Sequence, residues 1–292
     1  MQARNETKET GPVARVIILG SSNAIPSETA ENTHMAIAGE DRLVLVDSVG
    51  NPLLRLNQAG MDVNQISDII VTHFHPDHVS GLPLLLMDMW LLGRATPLNI
   101  HGLHYTIDRV ESLMALFSWS EWPQFFPVTF SRLPEVEMIQ VLDTSDFRIL
   151  ASPVKHMIPN IGLRIEFKKN HMVMAYSSDT EPCAEVIRLA NGADLLINEA
   201  SGESVGHSSA RQAGQAATQA EAGRLCLIHY PSGRYATGDP LAEARQSYQS
   251  EILLAEDFMI FDFSLNNAPA ILGKGYSGWL SRNRTSGNFR EP

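Results

Sequence analysis

Four potential metal ligands, His73, His75, Asp77 and His78, fall within six consecutive positions of the stretch Thr72-His73-Phe74-His75-Pro76-Asp77-His78. Three imidazoles and a carboxylate this close repel or compete when protonated and gain little from solvation. A bound divalent cation gives them a common reason to be there. The run before them, residues 66–72, has β-branched residues at its end and reads as a buried strand. The ligands therefore sit where a strand stops and the chain turns, rigid on one side and open on the other. One turn cannot wrap all four side chains around one ion. The spacing suits two ions, with His73 and His75 projecting to one side and Asp77 and His78 to the other.

Two ions need more ligands than one loop supplies, and further ligands occur at other strand ends. His156 lies just past an expected strand at 147–152, Asp179 follows one at 171–176, and His229 ends one at 225–229. A carboxylate can bridge two cations and an imidazole cannot, so Asp179 is the natural bridge. Singly, each of these has an ordinary explanation as a surface histidine or a turn aspartate. Their coincidence with the first motif reverses that preference.

The remaining pattern predicts strands at 13–19, 34–38, 43–46, 97–102, 161–167, 194–198 and 258–263. Helices are expected at 51–59, 82–92, 105–117, 184–190, 208–222 and 241–248. Each half is dominated by strands with helices between them, which implies two stacked sheets flanked by helices. No low-complexity linker or short repeat divides the chain, so residues 13–264 are expected to form one domain. Residues 1–12 read as a flexible start, and residues 265–292, rich in Gly, Ser, Asn and Arg, as a tail without a packed core. The apolar fraction of 44% is ample for a core, yet no run is long enough to span a membrane. The polar start is not a secretory signal, and two cysteines outside any CxxC pattern, Cys183 and Cys226, fit free thiols in a reducing cytoplasm. The net charge of −11 disfavours a large nucleic-acid surface. The one basic concentration outside helices is Lys274, Arg282, Arg284 and Arg290 in the tail.

With these motifs assembled, the chain resembles the metallo-β-lactamase superfamily, and within it the ribonuclease Z branch and its phosphodiesterase relatives. The resemblance runs from Val13 to Phe263. Besides the ligand loop it includes Leu19-Gly20-Ser21-Ser22-Asn23, Tyr176-Ser177-Ser178-Asp179-Thr180 and Gly206-His207-Ser208-Ser209-Ala210. It implies an α/β (α+β) fold, a four-layer αββα sandwich with a dimetal site at one edge between the sheets. By that similarity one ion takes His73, His75 and His156, the other Asp77, His78 and His229, with Asp179 shared. Zinc is the first expectation from the nitrogen-rich set, with manganese or iron able to use the same ligands. Asp77 would also orient or deprotonate the attacking water. His207 resembles the family residue that contacts the scissile phosphate and helps the leaving group depart, with Glu199 orienting it. Asn198 stands where the family has a histidine beside that glutamate. Of the other histidines, His101, His104 and His171 are expected to be ordinary surface or packed residues, and His34 to come nearest the site.

The departure that bears on substrate lies between His156 and Asp179. Ribonuclease Z proteins usually carry a long Gly/Pro-rich arm there that grips transfer RNA. Here the expected strands and the turn Lys168-Lys169-Asn170 fill the interval and leave nothing to build an arm. The expected substrate is a small phosphodiester or another ester, such as a lactone, thioester or sulfate. Transfer RNA 3′-processing is the alternative, and a homodimer is left open. A di-iron electron-transfer protein is opposed by His75, where such sites commonly use a carboxylate, and an inactive scaffold by the filled ligand positions.

Overall fold

The computed structural model describes residues 14–40, 42–264 and 270–272. The turn residue Asp41, the expected flexible start and the tail's basic residues lie outside them.

The chain opens with β1 (Arg15–Gly20), β2 (His34–Ala38) and β3 (Leu43–Val46), an antiparallel set of almost wholly buried residues. Helix α1 (Pro52–Gln58) follows, its start fixed by the Asn51 side chain, which accepts from the Leu54 amide at 3.0 Å. The chain returns through β4 (Ile66–Ile70), parallel to β3. The ligand loop then winds into the single-turn helix α2 (Pro76–Val79), with Pro76 at a first-turn position where its missing N–H costs nothing. Helix α3 (Leu82–Leu91), β5 (Leu98–Leu103), α4 (His104–Ala115) and β6 (Val128–Leu133) complete the first half.

The second half begins as an antiparallel meander of β7 (Ile139–Asp143), β8 (Phe147–Val154), β9 (Asn160–Phe167) and β10 (Val173–Tyr176). It continues as parallel strand–helix units through α5 (Ala184–Leu189), β11 (Leu195–Glu199), α6 (Ala210–Gln219), β12 (Arg224–Ile228), α7 (Pro240–Arg245) and β13 (Glu251–Leu254). Strands β14 (Ile260–Asp262) and β15 (Ala270–Leu272) cross back to pair beside β1.

The result is an eight-stranded sheet ordered β15-β14-β1-β2-β3-β4-β5-β6 and a seven-stranded sheet ordered β13-β12-β11-β10-β9-β8-β7. Three apolar layers hold them together. Val16, Ile18, Ile70, Ile149, Leu163 and Ile197 lie in the core between the sheets. Leu45, Ile69, Leu85 and Ile107 fill the space between the first sheet and its helices. An alanine-rich layer including Ala175, Ala213 and Ala217 lets α6 approach the second sheet closely. This is the expected αββα sandwich. Among the described residues no helix is long and apolar enough to cross a membrane. Strands β6, β7 and β13 were not expected from the sequence, and β15 falls in the segment read as a tail. The aromatic segment before β6 packs against α3: Phe126 is buried, and Trp90 stacks on Trp122 with ring centroids 5.2 Å apart.

Candidate metal centre

The predicted ligands converge at one edge of the sandwich. The loop after β4 supplies His73, His75, Asp77 and His78. His156 stands in the turn after β8, Asp179 just past β10 and His229 just past β12. Strand β8 runs two residues further than expected, so His156 is only two residues beyond its end.

The side chains form two adjacent groups. In the first, His73 Nε2 lies 3.1 Å from His75 Nδ1, which lies 3.0 Å from His156 Nε2. Four ligands around a tetrahedral zinc stand ~3.3 Å apart, given bond lengths of ~2.0–2.1 Å. Three converging nitrogens at this spacing therefore suit a shared cation. In the second group, Asp179 Oδ2 lies 3.2 Å from His229 Nε2 and 3.5 Å from His78 Nε2. Asp77 Oδ2 is 3.6 Å from His78 Nε2 and 4.0 Å from His229 Nε2. Asp179 Oδ2 is also 3.9 Å from His73 Nε2, so one carboxylate faces both groups.

Hydrogen bonds at the far ring nitrogens set the tautomers and leave the inner nitrogens free to coordinate. His78 Nδ1–H donates to Asp47 Oδ2 at 2.8 Å, and His156 Nδ1–H to the Gly206 carbonyl at 2.7 Å. His229 Nδ1–H donates to Thr33 Oγ1 at 3.1 Å, whose own hydroxyl is spent on the Ser22 carbonyl. His73 Nδ1–H donates in the same way to Thr72 Oγ1, which donates to Asp47. Two inner atoms, His78 Nε2 and Asp179 Oδ1, are buried without a hydrogen-bond partner. Leaving such atoms unpaired is costly unless a ligand satisfies them. The donor set thus fits divalent cations.

The electrostatics agree. Burial holds His73 well below the usual imidazole range, with the charge of His78 adding to it, and burial also lowers His75 and His156. These rings offer lone pairs at neutral pH. Burial resists charge on His78, yet Asp179 and Asp47 outweigh it and raise its pKa well above normal. Burial likewise opposes charge on Asp179, but His229 and His78 keep it well below the usual carboxylate range. The second group therefore attracts a positive charge, and a metal ion competes with protons for it.

His207 and Glu199 also meet here. His207 Nδ1–H donates to Glu199 Oε1 at 3.0 Å, and a His207 ring nitrogen lies within 4.8 Å of ligand atoms of His156 and Asp179. Glu199 is fully buried but accepts also from the Thr180 and Ser201 amides, at 2.8 and 2.9 Å. Burial lowers the His207 pKa, but the Glu199 hydrogen bond and charge more than compensate, so the net shift is upward. The Asn198 side chain donates to the adjacent Glu199 carbonyl, at 2.9 Å.

His34 is buried and donates from Nδ1 to the Asn32 carbonyl at 2.9 Å, outside both ligand groups. His101 pairs with Asp68 at 3.0 Å, while His104 and His171 are exposed. Both cysteines are free thiols.

Sequence reasoning missed Asp47. Its buried carboxylate accepts from the Thr72 amide and hydroxyl as well as from His78. It adopts a left-handed φ of 62°, as do Ser178 at 53° and His229 at 53°. Non-glycine residues held there store strain, and strain of this kind clusters at functional sites. The available signal was an aspartate directly after the apolar run 43–46.

The profile of the beta-lactamase superfamily domain matches residues 42–230. This chain is a member of the beta-lactamase superfamily. It is 27% identical over 299 residues to the ribonuclease Z of Methanothermobacter thermautotrophicus, covering 84% of this chain and 95% of that one. The crystal structure of human tRNase Z, short form, superposes with a TM-score of 0.67 at 26% identity, covering 84% of this chain and 98% of that one. The metallo-beta-lactamase fold protein YhfI from Bacillus subtilis shares the fold, with a TM-score of 0.72 at 20% identity over 86% of this chain and 99% of its own. This superfamily member is a metal-dependent hydrolase of ribonuclease Z type.

Proposed function

We propose that the protein hydrolyses a small phosphodiester at a dinuclear centre. His73, His75 and His156 would hold one divalent ion, Asp77, His78 and His229 a second, and Asp179 would face both. The observation that carries this reading is the pair of adjacent ligand groups faced by one buried carboxylate. Zinc suits the nitrogen-rich set best, and manganese or iron can use the same donors. Ions bound there supply Lewis acidity and a water activated at neutral pH. The protein's own part begins with Asp77, half-buried at the first turn of α2, which is placed to orient that water. His207, its charged form favoured by Glu199, donates a proton to the departing oxygen. Glu199, whose pKa burial raises against the pull of the His207 hydrogen bond, accepts from two amides besides His207 and holds the ring in place.

Four features support a small substrate. Strands β9 and β10 join through residues 168–172, which leaves no arm between His156 and Asp179. Lys155, beside His156, is engaged by Glu181 at 2.7 Å. Met157 and Val205, which flank the site residues His156 and Gly206, are exposed apolar side chains at 55% and 75% accessibility. With 33 acidic against 22 basic residues, the chain supplies few of the many phosphate contacts that folded RNA requires. The similarity to ribonuclease Z along most of the chain favours a second reading, removal of a transfer RNA 3′ trailer.

The test compares kcat/KM for bis(p-nitrophenyl) phosphate, a lactone, a thioester and a precursor transfer RNA under one metal and salt condition. Preference for the diester supports the proposal. Site-specific RNA cleavage outpacing it restores the ribonuclease reading.

A further inference from the structure

The turn that carries His207 has an exposed tip, with Glu203, Ser204 and Val205 open to solvent, yet Gly206 behind them is buried. Gly206 is gripped on both sides. Its carbonyl accepts from His156 Nδ1 at 2.7 Å, and its N–H donates to Glu181 Oε1 at 3.0 Å. Its φ of +83° suits glycine, and a β-carbon there would come within 2.9 Å of His156 Nδ1. One residue thus anchors a proposed metal ligand and, through the next peptide, the proposed proton donor.

Glu181 is itself well held. Its amide donates to the Lys155 carbonyl at 2.8 Å, and its Oε2 pairs with Lys155 Nζ at 2.7 Å. The residue before it, Thr180, donates its amide to Glu199 and accepts the Ser208 hydroxyl at 2.6 Å. The two residues following Asp179 therefore grip the His207 turn from both ends, Thr180 at Ser208 and Glu181 at Gly206. The Glu181 contact has no part in metal binding or proton transfer as described above.

We propose that Glu181 is a positioning residue: by holding the Gly206 amide it fixes the exposed His207 turn against His156, so that His207 meets the leaving group. This rests on the proposed role of His207 and adds the element that places it. An exposed ion pair contributes little by itself, so the Lys155 bond serves to orient the carboxylate and the Gly206 bond carries the effect.

The test uses the full-length protein loaded with zinc, and the variants Glu181→Ala, Glu181→Gln and Lys155→Met. Amide hydrogen exchange at Gly206 is the readout independent of turnover. Loss of a charge-assisted hydrogen bond speeds exchange in Glu181→Ala by about tenfold, while the Thr180 amide, bonded to Glu199, is unchanged. Glu181→Gln retains an acceptor and stays within about threefold of wild type, as does Lys155→Met. With bis(p-nitrophenyl) phosphate, Glu181→Ala lowers kcat by about tenfold with KM and metal content unchanged, and Glu181→Gln restores most of it. Gly206 exchange as slow in Glu181→Ala as in wild type overturns the proposal. So does loss of metal in that variant, or a glutamine variant as impaired as alanine. A wild-type protein inactive on the diester refutes the small-diester reading instead, while exchange at Gly206 still decides whether Glu181 holds the turn.

Discussion

Replacing Asp47 with alanine removes a carboxylate that touches no metal ligand atom facing the centre, yet its loss is expected to damage both stability and metal binding. Three donors point at it in a dry site: the Thr72 amide at 2.8 Å, the Thr72 hydroxyl at 2.8 Å and His78 Nδ1–H at 2.8 Å. Asp47 is 0% exposed, so water does not replace it without rearrangement. A buried donor left unpaired costs about 1–3 kcal/mol, and three of them at the lower end of that range come to about 3–5 kcal/mol. Alanine must also accept the φ of 62° that Asp47 adopts, which aspartate and asparagine tolerate better. The metal-free variant is therefore expected to unfold in urea at a free energy lower by about 3–5 kcal/mol. Losing the partner that orients His78 should weaken its metal site by about 10–100-fold. In a His78→Ala background the same substitution should change metal affinity less, because only the indirect hold on His73 through Thr72 is left to lose. Wild-type stability together with wild-type metal affinity in Asp47→Ala would refute the reasoning.

Asp179→Ala is expected to lose both ions and all turnover, and Asp77→Ala to lose one; equilibrium dialysis of the two variants distinguishes these outcomes. His207→Ala should keep its metal while kcat falls by ~10²–10⁴, the range for removing a general acid, and metal loss would instead make His207 a ligand. Burial, helped by the charges of Arg55 and His78 and opposed by the Asn32 carbonyl, pushes the His34 pKa down to about 4 from 6.5. The unfolded chain then binds a proton that folded His34 rejects, so this contribution is present above pH 6.5 and is lost as pH falls towards 4. At 1.36 kcal/mol per pH unit, wild type should lose about 3 kcal/mol relative to His34→Asn between pH 7 and pH 4, measured by urea unfolding of metal-free protein. Parallel stability curves would contradict it.

The parts of this site legible in the sequence were those whose chemistry is local. His73 to His78 declare themselves within one loop, and His156, Asp179 and His229 are found once strand ends become the places to search. Asp47 gave no such signal, because its partner His78 lies 31 residues away and an aspartate after a strand is an ordinary turn residue. Glu181 was invisible for the same reason, since its contact is a backbone amide 25 residues on. The missed strands follow the same logic. β6 and β7 are half-exposed edge strands of their sheets, with no clean alternation of apolar residues. β13 is four residues long, and β15 exists through pairing with β14. Strand pairing is non-local, and weak patterns become strands where a neighbour offers unpaired backbone groups.

Metal analysis of protein purified without chelators and reconstituted with excess zinc or manganese bears most directly on the dinuclear centre. Seven proposed ligand side chains in two groups exceed what one tetrahedral ion needs, so the expected result is two ions per chain, both lost in Asp179→Ala. One ion or none after reconstitution would contradict the dinuclear centre and the mechanism built on it.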